Sequence, residues 1–416
     1  MEGTLFVGID VSGAKNVTCG MTQEGTELLR FTTVNDRPGA AELVRRVIAI
    51  LTSHNLDRVV FGLEATGLLA WHLRRYLTED PSLKPYQPTI HMFNPKVVAG
   101  FKDAYNSLPK TDDVDAWVIA DRLRFGRLPR QHAVDERYEA LQRLTRARFR
   151  LVEDLVREKQ RFLDVLFLKF STFTQESPVS RKFGATALAL TTGDLSPEQI
   201  ADMPLEGLAA VINGAAKGRY ADPQKVAEAV QKAARSAYRL PKAMADAVNI
   251  VLATYVTVIR ALEGQIKVLD QQIAQLVSTF EHTLLSVKGI GPVYAAGILA
   301  EIGDVRRFPH EAALAKFAGL TWTRHQSGKF ESQETRLTRS GNAFLRYYLV
   351  EAALSVMVHD PEYRSYYERK KAESKTHGHK RALALTARKL VRLVYVLLRH
   401  GRLYDPYRRV GKAGSR

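Results

Sequence analysis

Two acidic residues near the N-terminus close apolar segments that have the composition of buried β-strands. Asp10 ends the segment 5–10 and Glu64 ends the segment 58–64, and each carboxylate follows a glycine by two positions. An acidic side chain at the end of a buried strand is costly unless it is paired or bound to a metal ion. We expect the small glycine beside it to leave room for a ligand to approach. The alternative is a carboxylate that begins a turn or caps a helix.

A third acidic cluster opens a segment with helical periodicity. Asp112 and Asp115 lie one helical turn apart, so both carboxylates can point at a single site, whereas Asp113 points elsewhere. Taken alone, the cluster also fits a helix N-terminus, where the helix dipole favours acidic residues. With Asp10 and Glu64 it supplies four oxygen ligands of the kind that suits Mg²⁺ or Mn²⁺. Two such ions about 4 Å apart can activate a nucleophile and stabilise a leaving oxygen in phosphodiester cleavage.

The segments that carry these acids follow the element order of a mixed α/β domain. Strand-like runs with turns between them predict three consecutive strands, and helices then alternate with two further strands. The predicted strands are residues 5–10, 15–21, 27–33, 58–64 and 89–93, and the predicted helices are 40–53, 68–77, one after Asn94-Pro95 and one after Pro109. Three antiparallel strands followed by αβαβα is the order of the RNase H-like fold.

The remainder of the chain is predicted to be mainly helical. Apolar residues recur every three or four positions from 138 to about 170 and from about 244 to 280, which indicates two long amphipathic helices. They would form an antiparallel pair or an intermolecular coiled coil. Residues 175–242 between them have the composition of a small helical insertion. The predicted domains are a catalytic α/β domain at 1–130, a helical region at 131–282 and a mainly helical C-terminal domain at 283–416.

The charge of the chain is strongly positive and is concentrated at one end. The 416 residues carry a formal net charge of +17, and residues 361–416 hold 16 Lys or Arg against 4 Asp or Glu. Such an excess indicates a nucleic-acid partner, because cations that neutralise phosphates release condensed counterions. A generally basic protein or a membrane-surface binder would share the net charge. The candidate phosphate contacts in this region are Lys380, Arg381, Arg388, Lys389 and Arg392.

The cysteine content and the N-terminus favour a cytoplasmic protein. Cys19 is the single cysteine, so neither an internal disulfide nor a cysteine-based metal cluster can form. The N-terminus lacks the basic and long apolar regions of a signal peptide, and we expect no segment of membrane-span length.

The N-terminal motifs resemble those of a known family, the DEDD insertion-sequence transposases of the IS-one-ten group, together with the Piv-type DNA invertases. The matching segments are Gly8-Ile9-Asp10-Val11-Ser12, Glu64-Ala65-Thr66-Gly67, Asn94-Pro95 and Lys110-Thr111-Asp112 followed by Asp115-Ala116. The resemblance implies a RuvC-like domain whose metal ligands are Asp10, Glu64, Asp112 and Asp115.

The C-terminal domain resembles the same family from about residue 285 to 403. The matching segments are Val287-Lys288-Gly289-Ile290-Gly291, Phe317-Ala318-Gly319-Leu320-Thr321, Ser327-Gly328, and Thr338-Arg339-Ser340-Gly341-Asn342 followed by Leu345-Arg346. In the family the serine before the glycine forms a covalent phosphoserine link to DNA, which implies that Ser327 is the nucleophile. Cations nearby in sequence could hold a phosphate, namely Arg324, Lys329, Arg336, Arg339 and Arg346, with His325 among them. Without the resemblance, a Ser-Gly pair would be interpreted as a turn.

The resemblance also implies partners that the residues alone do not indicate. Family members use a structured bridge RNA to select target and donor DNA, and four protomers assemble so that one chain's carboxylates meet another chain's serine. For this chain we therefore expect a homo-oligomer, a dimer or a tetramer. The leading hypothesis is therefore a recombinase that cuts and rejoins DNA. The alternative is a RuvC-like nuclease or junction resolvase, in which metal-activated water attacks without a covalent link. A non-catalytic nucleic-acid scaffold would leave the four acids without a purpose.

Overall fold

The chain folds into two compact units, residues 1–133 and 134–416, and each has hydrophobic cores of its own. The computed structural model describes residues 3–65, 67–105, 108–126, 128, 135–193, 195–322, 326–327, 330–331, 337–338, 340–374 and 376–406, with the backbone alone at 326–327 and 330–331. The further boundary that we predict near residue 282 stays a prediction.

The first unit is a five-stranded mixed sheet with helices on both faces. Its elements in chain order are β1 (Thr4–Val11), β2 (Lys15–Met21), β3 (Glu27–Val34), α1 (Arg37–Ser53), β4 (Arg58–Glu64), α2 (Trp71–Glu79), β5 (Thr89–Phe93), α3 (Pro95–Lys102) and α4 (Asp112–Arg124). The strand order is β3-β2-β1-β4-β5. The first three strands are antiparallel, and β4 and β5 run parallel to β1. The predicted element order is confirmed, although α2 begins three residues later than expected, after a turn at residues 68–70.

Alternation along the strands divides the core of this unit into two layers. Leu5, Val7 and Ile9 of β1 pack into a layer with α1 and α2, whereas Phe6 lies in a layer with α3 and α4. Successive side chains of a strand point to opposite faces of a sheet. Gly8 and Asp10 therefore lie on the same face as Phe6, which is the face that α4 covers.

The second unit is mostly helical. Its elements in chain order are α5 (Glu136–Lys169), α6 (Ser171–Glu176), α7 (Ala185–Thr192), α8 (Pro197–Asp202), α9 (Leu205–Ala216), α10 (Pro223–Ser236), α11 (Lys242–Val277), α12 (Pro292–Ile302), α13 (Glu311–Phe317), β6 (Gln326–Ser327), β7 (Phe330–Glu331), α14 (Ala343–His359), α15 (Pro361–Ala372) and α16 (Gly378–His400). The N-terminal mixed sheet followed by a mainly helical region is the predicted fold class.

The two long helices α5 and α11 pack against each other in opposite directions. The Lys159 Nζ lies 2.6 Å from the Glu263 Oε1, and Arg148 forms an ion pair with Asp270, so residue numbers rise along one helix as they fall along the other. The predicted antiparallel pair is confirmed. Whether its side chains interlock as a coiled coil stays a prediction.

The described part of the predicted insertion, residues 175–242, holds four short helices, α7 to α10, which with α6 before them are built onto one end of this pair. Phe162 and Leu166 of α5 share a hydrophobic core with Val230 of α10 and with Leu252 and Val256 of α11. The insertion therefore contributes to the core of the second unit.

The expectation that no segment has the length of a membrane span was wrong for α11. By length and composition this helix passes as a candidate span, with a mean hydropathy of 1.5 over 18 residues. The cause is that α11 is apolar on two sides. Leu252 and Val256 face the core, whereas Ile250, Val251 and Val258 are exposed. A core helix of a soluble protein can meet the same criterion.

Candidate active site

Two glycines bring α4 into close contact with the strands that carry the first two acids. A Cβ atom on Gly8 would lie 2.2 Å from the Ala116 carbonyl oxygen, and one on Gly62 would lie 2.9 Å from the side chain of Ile119. Only glycine permits so close an approach of the helix. The space beside each acid is thus filled by α4, which corrects our expectation that these glycines leave room for a ligand.

This packing brings the four predicted acids to one end of the sheet. The parallel register pairs Ile9 with Leu63, so Asp10 and Glu64 follow as neighbours at the ends of β1 and β4. The helix α4 begins at Asp112, where the Thr111 side chain caps it by accepting a hydrogen bond from the Val114 N–H. Its first turn therefore presents Asp112 and Asp115 near the ends of both strands.

The carboxylates interact electrostatically. Burial, followed by repulsion from Asp112, Asp115 and Glu64, raises the pKa of Asp10 from 3.8 to about 6. Burial and repulsion from Asp115 raise the pKa of Glu64. A carboxylate whose neighbours are also carboxylates is stabilised in its charged form by a nearby cation or by hydrogen-bond donors.

Two lysines that sequence reasoning missed lie against two of the four acids. The Lys15 Nζ is 2.9 Å from the Asp112 Oδ2, and the Lys102 Nζ is 2.6 Å from the Asp115 Oδ1. Lys15 begins β2 and Lys102 ends α3, so nothing in their spacing from the acids along the sequence identifies them.

The remaining acid of the cluster, Asp113, is oriented towards the edge of the sheet. Its Oδ1 lies 3.9 Å from the Arg30 Nη1 on β3, and the Arg30 guanidinium also donates to the Asp113 carbonyl. Asp113 therefore contacts a different cation from Asp112 and Asp115, although all three belong to one helical turn.

The four acids are of the right chemical type to bind a divalent metal ion, but their arrangement in this structure does not form a metal site. Carboxylate oxygens are the hard ligands that Mg²⁺ and Mn²⁺ prefer. Among the described residues, however, no three His, Cys, Asp or Glu side chains lie in an arrangement that could hold a metal ion. Binding a metal here therefore requires a different arrangement of the four carboxylates from the one in this structure.

One further acid of α4 has a structural role. Asp121 is buried and accepts hydrogen bonds from the Tyr105 hydroxyl and the Arg124 guanidinium. These contacts tie the middle of α4 to the segment after α3 and so help to fix the helix that carries Asp112 and Asp115.

Ser327 lies in a short hairpin of the second unit. It ends β6 and pairs with Phe330 of β7 in an antiparallel register. The segment around it is closed at its base by a hydrogen bond of 2.8 Å from the Thr338 N–H to the Thr321 carbonyl, and by a bridge between Trp322 and Leu337. The side chain of Ser327 and the predicted phosphate contacts Arg324, Lys329, Arg336 and Arg339, with His325, lie outside the described residues.

The chain re-enters the helical core next to a buried carboxylate. Glu301 is 3% exposed and accepts two hydrogen bonds from the Arg146 guanidinium, at 2.8 and 2.9 Å. It also accepts one of 2.6 Å from the Asn342 amide, and Asn342 caps α14. The Asn342 of the predicted motif thereby fixes the point where the serine-bearing segment joins α14.

Arg346, the remaining predicted phosphate contact near the hairpin, is half-buried. Its Nη1 donates a hydrogen bond of 3.2 Å to the Ala318 carbonyl. Part of its hydrogen-bonding capacity is therefore used inside the unit.

The five predicted phosphate contacts of α16 differ in their surroundings. Lys380 and Arg381 are exposed. The Lys389 Nζ lies 2.8 Å from the Glu362 Oε1 and 4.6 Å from the centre of the Tyr363 ring. The other two are Arg392, whose Nε lies 3.8 Å from the Glu311 Oε1, and Arg388, whose pKa is lowered by burial. Lys380, Arg381 and Arg392 are thus the most exposed of the five.

Comparison with known proteins matches both regions that carry the candidate residues. Residues 7–170 match a transposase model of the DEDD IS110 type, and residues 281–368 match the model described as Transposase IS116/IS110/IS902 family. The first range contains the four acids, and the second contains Ser327.

Three relatives come from insertion elements or a DNA inversion system. The 42 kDa protein of insertion element IS900 from Mycobacterium paratuberculosis is 27% identical over 98% of each chain. The 43.6 kDa protein of IS110 from Streptomyces coelicolor is 33% identical over 38% of each chain. The pilin gene-inverting protein of Moraxella lacunata is 30% identical over 35% of this chain and 47% of its own length. The chain belongs to the IS116/IS110/IS902 family of transposases, enzymes that recombine DNA.

Proposed function

We propose that this transposase cuts and rejoins DNA with Ser327 as the nucleophile and with divalent metal held by Asp10, Glu64, Asp112 and Asp115. The observation that supports the metal site is the position of four carboxylates from β1, β4 and α4 at one end of the sheet, where burial and then repulsion from neighbouring acids raise the pKa values of Asp10 and Glu64. A cluster of this composition is unfavourable in a folded protein unless a cation compensates it. Bound Mg²⁺ or Mn²⁺ would supply that charge, and would lower the barrier to phosphodiester cleavage. The unit that holds the acids would accordingly be an RNase H-like nuclease domain of the RuvC type.

The proposed chemistry at the serine is a reversible exchange of phosphodiester bonds. The Ser327 Oγ forms a bond to the scissile phosphorus, the bond from phosphorus to the departing deoxyribose oxygen breaks, and that oxygen takes up a proton. A hydroxyl of the new strand then attacks the phosphoserine and releases the serine. A serine hydroxyl is a weak nucleophile at neutral pH, so it requires a base or metal nearby and cations that hold the phosphate. We assign the second task to Arg324, Lys329, Arg336 and Arg339, with support from Arg346.

The basic C-terminal region would bind the nucleic-acid backbone. Lys380 and Arg381 are exposed on α16, and cations of this kind contact phosphates without regard to base sequence. Sequence selection would then come from a structured bridge RNA, a proposal that rests on the resemblance of the motifs to the family. On the same basis we propose a homo-oligomer, a dimer or a tetramer, that acts on the DNA of the cell in the cytoplasm.

The experiment that tests the proposal compares DNA cleavage by the full chain and by the Ser327→Ala variant. We expect Ser327→Ala to abolish both cleavage and rejoining, because the hydroxyl that attacks phosphorus is gone. Ser340→Ala is the matched control, since Ser340 is an exposed serine next to the hairpin, and it should retain activity. Cleavage that survives Ser327→Ala unchanged would favour a nuclease in which water attacks.

A further inference from the structure

Each of the two lysines at the carboxylate site contacts one oxygen atom of a proposed metal ligand. Each ammonium group lies within hydrogen-bonding distance of a carboxylate of α4, Lys15 on Asp112 and Lys102 on Asp115. Both acids belong to the proposed metal ligands. A carboxylate oxygen that bonds an ammonium group at this distance has lost part of its capacity to coordinate a cation.

Local structure fixes the backbone position of each lysine. The turn before β2 is closed by Ser12, whose hydroxyl donates to the Lys15 carbonyl and accepts from the Lys15 N–H. Lys102 is the last residue of α3, a helix that begins at the Asn94 cap and is anchored by the buried Val98. Lys15 therefore approaches α4 from the strand β2, and Lys102 approaches it from the helix α3.

The compensation that they provide is partial. Two ammonium groups neutralise half of the formal charge of the four carboxylates. Lys15 also lowers the pKa of Asp10, but by less than burial and the three neighbouring acids raise it. In the described part of the chain no cation forms an ion pair with Asp10 or Glu64, so the site keeps a net negative charge that attracts a divalent cation.

We propose that Lys15 and Lys102 are internal counter-ions that compete with divalent metal for Asp112 and Asp115, so that metal binding displaces both ammonium groups. The proposal rests on the metal site described above and adds to it the residues that set its affinity.

The two lysines should differ in how strongly they compete with divalent metal. The side chains of Lys102 and Asp115 are 20% and 29% exposed, whereas those of Lys15 and Asp112 are 50% and 49% exposed. Water and salt screen an exposed pair more than a half-buried one. Lys102 is therefore expected to compete more effectively than Lys15.

The test is a calorimetric titration of Mn²⁺ into the full-length protein and its Lys102→Met and Lys15→Met variants. Methionine keeps most of the side-chain stem and removes the charge. We expect Lys102→Met to bind Mn²⁺ more tightly than the unmodified chain, by about two- to five-fold, with a smaller gain for Lys15→Met. Arg30→Met is the matched control, because Arg30 lies beside Asp113 on the same helical turn without contacting a proposed ligand. It should change the affinity less than either lysine variant.

A second readout protects the test against loss of folding. In EDTA the melting temperature of Lys102→Met should fall, because the acids lose a counter-ion, and Mn²⁺ should raise it by more than it raises that of the unmodified chain. Affinity in Lys102→Met equal to or below that of the unmodified chain would overturn the competition while leaving the metal site in place. An absence of Mn²⁺ binding to the unmodified chain would overturn both proposals.

Discussion

At the scale of single residues, the four acids differ from their acidic neighbour by what each one contacts. Asp112 and Asp115 point towards the end of the sheet, whereas Asp113 lies beside Arg30. Asp112→Asn or Asp115→Asn should reduce DNA cleavage at least 100-fold or so, because each removes charge from a proposed ligand without changing its shape. Asp113→Asn should change cleavage by about two-fold or less. A cleavage assay that shows dependence on Asp113 and indifference to Asp112 would refute this assignment.

The burial of Asp10 and its repulsion from the neighbouring acids also predict a dependence of stability on pH. The pKa of Asp10 is raised to about 6 in the folded chain, so between pH 4 and 6 the folded carboxyl is protonated while the unfolded one is ionised. The folded state then binds more protons, and the contribution of Asp10 to stability is lost as the pH rises through this window. In EDTA, Asp10→Asn should raise the melting temperature at pH 7 and weaken this decline. Part of the loss of stability with rising pH should remain in this variant, since the pKa of Glu64 is raised as well. Equal melting temperatures for the unmodified chain and Asp10→Asn at pH 7 would contradict the raised pKa of Asp10.

At the scale of elements, the position of α4 depends on the absence of a side chain at Gly8. Gly8→Ala would place a Cβ atom 2.2 Å from a backbone oxygen of α4, which forces the helix away from the sheet. We expect a loss of about 1–3 kcal/mol in the free energy of unfolding, measured with urea, and a loss of cleavage because Asp112 and Asp115 move with the helix. Gly13→Ala is the control, because a Cβ there would meet no atom within 4 Å. A variant at Gly8 as stable and active as the control would contradict the close packing.

A second prediction at this scale concerns α16 and the salt dependence of nucleic-acid binding. Affinity for DNA falls as salt rises, and replacing Lys380 and Arg381 together by Gln should make this dependence shallower. The magnitude of the slope of log affinity against log salt should fall by about one to two, because each lost phosphate contact removes roughly 0.9 on duplex DNA. Lys389→Gln should have less effect, since this lysine is already paired with Glu362. Binding titrations at several salt concentrations measure the slopes, and a double variant with an unchanged slope would argue against this surface.

The elements were predictable from the sequence to the extent that hydrophobic periodicity specifies them. The strands 58–64 and 89–93 have the predicted bounds, and the two long helices form the predicted antiparallel pair. The close packing of α4 against Gly8 was not predictable, because a glycine near an acid is compatible both with a ligand cleft and with a helix packed against the strand. Lys15 and Lys102 were missed for a related reason. A lysine far from the acids in sequence carries no periodic signal that it will meet them in the fold.

At the scale of the whole molecule, the acids and the serine belong to different compact units of the chain. The proposed oligomer would unite the carboxylates of one protomer with the serine of another. Mixing an Asp10→Asn chain with a Ser327→Ala chain should then restore part of the cleavage that neither chain has alone, because a mixed assembly contains one intact composite site. If the mixture cleaves no more DNA than either variant alone, in an assembly shown to contain both chains, the whole site lies within one protomer.

The most direct test of the central claim is to identify the atom that becomes bonded to DNA. The protein is stopped with denaturant during cleavage, the DNA is digested, and the residual nucleotide is mapped on the peptides by mass spectrometry. We expect a nucleotide linked through phosphate to Ser327, absent from Asp10→Asn and Ser327→Ala and present in Ser340→Ala. A nucleotide on another residue, or complete cleavage with no protein-linked nucleotide, would contradict the serine mechanism.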